Sequence, residues 1–167
     1  MSHSIRKATV EDVIQISNLY VTNIKSAYKG IFNDGFLAKL TPESRYDQWE
    51  KNIKNPNNIV LVIETDDKIV GMIVGTLIKE KEKLSNAGNI LAVNIDPTYK
   101  ERGFGRKLVF ALFEEFKKLG ITQCTAKVFK NNEYKGFFEH LGGTLIKEQA
   151  IDEAQVLSVF IYRWDTI

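Results

Sequence analysis

The first 55 residues follow the pattern of hydrophobic positions that is typical of amphipathic helices. Apolar or small side chains recur every three or four residues, at Val13, Ile16, Tyr20, Ile24 and Ala27. A short strand is predicted before this helix, and Thr9 is the expected N-cap, with Asp12 as its capping-box partner. Residues 31–40 predict a loop and a short helix, and Thr41 predicts the start of another helix.

Beyond residue 58 the pattern changes to runs of β-branched residues, which are typical of strands. Three strands are predicted, the first two joined by a hairpin turn of sequence TDDK. The predicted elements are strands at 59–65, 67–80 and 86–96, a helix ending at Gly120, a strand at 121–129, a helix at 131–143, and strands at 144–150 and 156–164. This order predicts one mixed α+β domain that spans residues 1–167.

Composition narrows the class of protein. The chain has 23 basic and 21 acidic residues, and its net charge of only +2 argues against nucleic acid as the main partner. Cys124, the single cysteine, lies in an apolar strand and is interpreted as a core residue. No apolar run approaches the roughly 18 residues of a membrane span, and the N-terminus lacks the apolar segment of a signal peptide. These features predict a cytoplasmic protein with no membrane partner.

The segment KERGFGRKLV, residues 100–109, places two glycines and four basic side chains where a helix is about to begin. A helix N-terminus leaves backbone N–H groups unpaired and favours anions, and glycine lets a phosphate approach the backbone. The segment therefore predicts a phosphate or pyrophosphate site. The alternative is an ordinary glycine turn among solvated basic residues. The sequence after the glycines excludes a P-loop, and a dinucleotide fingerprint would need a third glycine.

Three segments of the chain resemble a known family. IDPTYKERGFGRKLV is similar to the acetyl-CoA-binding signature of the GNAT family of N-acetyltransferases. NNEYKGFFEHLGG follows one helix and one strand later and is similar to the second element of that family. The opening IRKATVEDV also resembles the family's first strand and helix. The resemblance implies a single GNAT-type domain, with a mostly antiparallel central sheet that contains a splayed parallel strand pair and is flanked by helices.

The resemblance implies acetyl-CoA as the acetyl donor and no metal. In the family, the pantetheine arm lies between the splayed strands and the pyrophosphate lies on the glycine loop. Carried over to this sequence, the residues that would hold acetyl-CoA are Val93, Asn94, Ile95, Lys100, Glu101, Arg102, Gly103, Phe104, Gly105, Arg106, Asn131, Phe137 and Phe138.

The sequence departs from the family where proton transfer is expected. Asn89 stands where the family often carries a glutamate base, and Phe138 stands where it often carries a tyrosine acid. Lys100 replaces the usual arginine or glutamine before the glycines. Tyr134 or water could replace the missing tyrosine, so the candidate catalytic positions are Asn89, Tyr134 and Phe138.

The resemblance implies that a primary amine of a small molecule or peptide accepts the acetyl group by direct attack. Tyr28, Phe32 and Asp34 are the candidate acceptor-binding residues, with packing as the alternative for each. The departures at Asn89 and Phe138 leave a second hypothesis open, a catalytically weak or non-catalytic sensor that binds acyl-CoA. A nucleic-acid-binding module is the third hypothesis, and a homodimer stays open because the sequence does not set the oligomeric state.

Overall fold

The structure, a computed structural model, describes residues 2–80, 83–152 and 157–167. Within these residues, seven strands form one sheet in the order β1-β2-β3-β4-β5-β7-β6. Neighbouring strands are antiparallel except for the parallel pair β4 and β5. The strands are β1 (Ser4–Lys7), β2 (Asn58–Thr65), β3 (Lys68–Glu80), β4 (Lys83–Ile95), β5 (Gln123–Phe129), β6 (Thr144–Ala150) and β7 (Ser158–Trp164).

Helices flank this sheet, and short 3₁₀ turns lead into several of them. The helices are α1 (Val13–Ala27), α2 (Asp34–Lys39), α3 (Tyr46–Lys54), α4 (Phe104–Lys118) and α5 (Phe137–His140), and the 3₁₀ turns are Val10–Asp12, Glu43–Arg45 and Pro97–Tyr99. The predicted α+β class is therefore confirmed, with its mostly antiparallel sheet and its parallel pair.

The two faces of the sheet bury different hydrophobic cores. Successive residues of a strand point to opposite faces, so Leu61 and Ile63 enter one core while Val60 and Val62 enter the other. Helix α4 covers the first core, and α1 and α3 cover the second. Cys124 is fully buried in the first core, and this burial raises the pKa of its thiol to about 12. The thiol therefore stays protonated at neutral pH, as expected for a core residue.

Strands β4 and β5 separate after a short parallel contact. They pair only over 87–90 of β4 and 123–126 of β5. Leu91 is then an extra residue in β4, because its two neighbours pair with consecutive residues of β3. A bulge of this kind bends its strand. Residues 91–95 therefore run on beside β3 with no strand on their other edge, and a gap opens between β4 and β5.

The helix predicted over 131–143 is wrong in its length. Residues 131–136 form turns, and α5 is only the four residues Phe137–His140. The side chain of Asn132 accepts a hydrogen bond from the backbone N–H of Tyr134 at 2.9 Å, and this local turn competes with helix formation. Gly136 directly before α5 weakens the helical tendency further.

Two interpretations of the sequence extend into residues that the structure does not describe. The charged run KEKEK at 79–83 is interpreted as a solvated strand end and loop, and residues 81 and 82 of it lie outside the described residues. The last predicted strand starts at residue 156, which also lies outside them, and its described part is β7.

A buried carboxylate ties β1 to the start of α1. The guanidinium of Arg6 donates to both carboxylate oxygens of Asp12, at 2.8 and 2.9 Å. The backbone N–H of Thr9 donates to the same carboxylate at 2.8 Å, which confirms the predicted pairing of Thr9 with Asp12. The hydrogen bonds from Arg6, followed by those from Thr9, lower the pKa of Asp12 against the opposing effect of burial.

We expect Asp12→Asn to lower the free energy of unfolding at pH 7 by about 1–3 kcal/mol, since hydrogen bonds to a charged group are lost. The folded-state pKa of Asp12 is depressed, so its contribution is present above the unfolded pKa of about 3.9 and is lost as the pH falls through the folded pKa. Urea unfolding at pH 7 and pH 3 should show the deficit shrinking at the lower pH.

The exposed Asp47 of α3 supplies the control, and Asp47→Asn should change stability by less than about 0.5 kcal/mol at either pH. A deficit in Asp12→Asn that is equal at both pH values would show that packing, not the charge of Asp12, carries the effect.

Candidate active site

A cavity of about 710 Å³ opens where β4 and β5 part. Residues 90–95 of β4 and 127–129 of β5 line it between the two strands. The loop before α4 and the first residues of that helix close one end, and α1 and α2 close the other. We call these the loop end and the helical end of the cavity.

The predicted residues Val93, Asn94 and Ile95 all line this cavity. They lie on the part of β4 that has lost its β5 partner, so their free backbone edge faces the gap. Asn94 is 8% exposed, and its side-chain amide donates to Met72 Sδ at 3.4 Å. The strand edge, rather than the Asn94 side chain, is therefore the part of this segment that is available to a ligand.

The loop end is shaped by two residues in the left-handed conformation. Glu101 has φ of 61° and Gly103 has φ of 80°. Gly103 is the N-cap of α4, and a Cβ there would meet open space, so glycine is favoured by the backbone conformation rather than by crowding. At Gly105 crowding matters, because a Cβ would lie 3.1 Å from the Phe137 ring. The first N–H groups of α4 therefore reach the cavity surface unobstructed.

Four basic side chains surround this end, and two of them line the cavity. Lys100 and Arg106 are lining residues, with Lys100 Nζ 4.3 Å from the centre of the Tyr134 ring. Arg102 lies over the Tyr99 ring at 5.0 Å, and Lys107 Nζ lies 2.9 Å from His3 Nε2, both outside the lining. Among the described side chains, none of these four forms an ion pair with a carboxylate.

Two of the three candidate catalytic residues line the cavity and one does not. Asn89 lies in the closed part of the strand pair, where Thr125 Oγ1 donates to its side-chain oxygen at 3.0 Å. Asn89 precedes the point where the strands part, and it is not a lining residue of the cavity. The predicted catalytic role of Asn89 is therefore not supported by its placement.

The other two candidates differ in exposure. Phe138 is 7% exposed, and its ring packs on Trp164 and Tyr162 with centroids 5.7 and 5.9 Å apart. Tyr134 is 43% exposed at the cavity. Desolvation and the neighbouring Glu133 and Glu101 raise the pKa of Tyr134 above its usual range, so its hydroxyl stays protonated at neutral pH.

Asn132, rather than the predicted Asn131, is the asparagine of this pair that lines the cavity. Asn131 is exposed and does not line the cavity, whereas Asn132 does. Burial raises the pKa of Tyr28, and a hydrogen bond with Asn132 opposes that shift. The spacing of the family motif to Phe137 selected Asn131, and only the fold shows that Asn132 lines the cavity.

The helical end has an aromatic wall that includes two predicted residues. Tyr28 and Phe32 line it with Phe36 and Phe129, and ring centroids in this group lie 5.1 to 5.7 Å apart. Asp34, predicted as the acid of this region, is exposed at the start of α2 and is not a lining residue. Its place in the first helical turn after Asn33 directs it to solvent, so that prediction is wrong in its placement.

Sequence reasoning missed two basic residues of the cavity, Arg45 and Lys127. Arg45 ends the 3₁₀ turn before α3, and Lys127 lies on β5 beside the gap. Glu101 is the only carboxylate among the described lining residues, and it lies at the loop end. Three consecutive residues of β5, from Lys127 to Phe129, line the cavity, so alternation along the strand did not indicate Lys127, and nothing in the local sequence marked Arg45.

The described residues contain neither a cluster of metal ligands nor a membrane-spanning helix. In residues 2–80, 83–152 and 157–167, no three His, Cys, Asp or Glu side chains come together as metal ligands. In the same ranges, no helix has the length and apolar character needed to cross a membrane.

The chain is similar to several N-acetyltransferases. It is 22% identical over 153 residues to the spermidine N(1)-acetyltransferase of Thermoplasma acidophilum. This alignment covers 89% of this chain and 91% of the relative. The structure of PaiA N-acetyltransferase from Thermoplasma acidophilum in complex with coenzyme A superposes with a TM-score of 0.77 at 22% identity, over 98% of both chains. The structure of yncA from Salmonella typhimurium with acetyl-CoA gives a TM-score of 0.74 at 20% identity, over 98% of this chain and 94% of that one.

A family model supplies the remaining evidence. The model of the acetyltransferase (GNAT) family matches residues 23–142, a range that includes the end of α1, the splayed strand pair, the glycine loop and α5. The sequence resemblance, the splayed sheet and this match agree with one another. The chain belongs to the acetyltransferase (GNAT) family.

Proposed function

We propose that this protein transfers the acetyl group of acetyl-CoA to a primary amine by direct attack. The observation that carries the proposal is the gap between β4 and β5, which leaves the free edge of residues 91–95 beside the N-terminus of α4. A strand edge and a helix N-terminus at one cavity suit a ligand that has both amide groups and phosphates. Coenzyme A is such a ligand, and the similar structure from Thermoplasma acidophilum holds it.

Different residues of the cavity would bind different parts of acetyl-CoA. The free edge of 91–95 would pair with the amide groups of the pantetheine arm, as an added strand does. The N–H groups from Glu101 to Arg106 would bind the pyrophosphate, with Lys100 and Arg106 adding positive charge. Phe137 and Phe138 would pack beside the arm where it approaches the thioester.

The reaction joins the amine nitrogen to the thioester carbonyl carbon and breaks the carbon–sulfur bond. An alkyl amine with a pKa near 10.4 must first lose a proton, at a cost of roughly 4.5 kcal/mol at pH 7. Apolar walls and the nearby cations Arg45 and Lys127 disfavour an ammonium ion, so the helical end lowers the pKa of a bound amine. This environment reduces the need for the carboxylate base that the sequence lacks at Asn89.

The leaving thiolate needs less help. With a thiol pKa near 8.5, protonation at pH 7 is worth only about 2 kcal/mol. Tyr134 is the hydroxyl that we propose as the donor, because it lines the cavity and remains protonated at neutral pH. Phe138 lacks a hydroxyl and serves by packing.

Thiol release from acetyl-CoA across a panel of amines should show turnover with at least one primary amine. We expect kcat/KM to rise with pH until the pKa of the free amine is passed, and kcat to level off at the lower pKa of the bound amine, since deprotonation of the amine is the larger barrier. The measurement is a thiol assay from pH 6 to 9 under conditions where chemistry limits the rate. Tight coenzyme A binding without thiol release for any amine would favour the sensor, which the missing glutamate and tyrosine also fit.

The conformation of the glycine loop gives a second prediction. Gly103→Ala should weaken coenzyme A binding about tenfold, since a left-handed alanine costs roughly 1–2 kcal/mol and the loop would have to change to avoid it. Gly103→Asn should bind within about threefold of the wild type, because asparagine tolerates this conformation. Calorimetric titration with coenzyme A, expected to give micromolar affinity in the wild type, makes the comparison. Equal affinity in all three proteins would show that the loop conformation does not matter for binding.

The proton donor gives a third prediction. Tyr134→Phe should lower kcat about tenfold or less, and mainly below the thiol pKa, where protonating the thiolate is favourable. The double variant Tyr134→Phe with Phe138→Tyr should recover part of the loss, because it returns a hydroxyl to the family position. Steady-state rates from pH 6 to 9 on the three proteins test this. An unchanged kcat in Tyr134→Phe would assign the proton to water.

A further inference from the structure

The charges at the helical end have a consistent sign. The lining residues there and on the adjoining strands include the cations Arg45 and Lys127. The one described lining carboxylate, Glu101, belongs to the loop end. Neither cation forms an ion pair with a described carboxylate. A pocket of this charge attracts anionic groups and disfavours a molecule that carries several positive charges.

Arg45 has hydrogen-bonding capacity left over. Its Nη1 donates to Gln48 Oε1 at 3.0 Å. Its Nε is enclosed and has no acceptor, and no described residue bonds its Nη2. The Nε and Nη2 groups form one edge of the guanidinium, and that edge matches the two oxygens of a carboxylate. An incoming carboxylate can reach Nη2, and it would pair with the enclosed Nε once the side chain adjusts, which would supply the acceptor that Nε lacks.

The turn that carries Arg45 is held in place by its own hydrogen bonds. The backbone N–H of Ser44 donates to Thr41 Oγ1 at 3.2 Å, and Ser44 Oγ donates to Thr41 O at 2.6 Å. The backbone N–H of Arg45 donates to Pro42 O at 3.0 Å. The guanidinium therefore extends from a fixed backbone, as a specific anchor requires.

The remaining surface of the helical end is apolar. Tyr28, Phe32 and Phe129 pack on one another with ring centroids 5.1 to 5.5 Å apart. Phe36 extends this wall and is 51% exposed, which leaves apolar area for a ligand to cover. Such a wall suits an apolar or aromatic body rather than a flexible polycation.

We propose that the acceptor is an amino carboxylate with an apolar or aromatic body, and that Arg45 binds its carboxylate. This rests on the proposed function, since the helical end is where an amine would meet the donor. Arg45 holds the carboxylate through its free edge, the aromatic wall covers the body, and Lys127 adds attraction for the anion. The spermidine N(1)-acetyltransferase named above is similar in sequence, but a polyamine offers no carboxylate to Arg45 and adds positive charges beside it.

The experiment compares phenylalanine with phenethylamine, which differ only in the carboxylate, and includes spermidine. We expect wild-type kcat/KM, corrected for the neutral fraction of each amine, to be about tenfold or more higher for phenylalanine than for phenethylamine. Arg45→Gln should remove this preference while coenzyme A affinity stays unchanged. Lys39→Gln, which removes an exposed cation of α2 outside the cavity, should leave the preference intact.

A binding measurement makes the test independent of turnover. N-acetylphenylalanine and N-acetylphenethylamine are titrated into the protein saturated with coenzyme A, and the first should bind about tenfold tighter only when Arg45 is present. Equal or better use of phenethylamine or spermidine, or a preference that survives in Arg45→Gln, would overturn the assignment while leaving acetyl transfer in place. Absence of coenzyme A binding would instead contradict the proposed function itself.

Discussion

The position of α4 depends on two glycines that let it approach the sheet closely. A Cβ at Gly88 of β4 would lie 2.6 Å from the Phe116 ring, and a Cβ at Gly75 of β3 would lie 2.7 Å from the same ring and from Leu112. The space that side chains would occupy on these two neighbouring strands is filled by α4 instead. Close packing of this kind leaves little freedom for the helix to shift. The N-terminus of α4 is thereby fixed beside the point where β4 and β5 separate.

The separation of those strands turns a sheet into a binding site. The bulge at Leu91 bends β4 while it remains paired with β3, so its other edge lies open to the cavity. An open strand edge inside a protein would ordinarily leave backbone groups unpaired. Placed beside the N-terminus of α4, the same edge is suited to the amide-rich and phosphate-rich molecule that we propose as donor. The glycine contacts under α4 and the bulge at Leu91 thus set the two halves of the donor site.

The two ends of the cavity are polar in different ways. The loop end combines backbone N–H groups with Lys100 and Arg106, which suits phosphates. The helical end combines an aromatic wall with Arg45, whose Nε has no acceptor. An amine held between these ends is surrounded by apolar surface and positive charge, and both favour its neutral, nucleophilic form. Once Arg45 is paired with the carboxylate of the acceptor its charge is offset, so the apolar wall and Lys127 are what would favour the neutral amine.

The sequence by itself determined the α+β class, the order of strands and helices, the hairpin turn between β2 and β3 and the glycine loop before α4, because these follow from periodicity and local backbone preference. It did not determine which side chains face the cavity. Asn89 precedes the bulge and Asp34 points to solvent, whereas Asn132 and Arg45 line the site. These outcomes depend on where a strand leaves its neighbour and on how a turn is packed. Both are contacts between distant segments, and only the tertiary structure decides them.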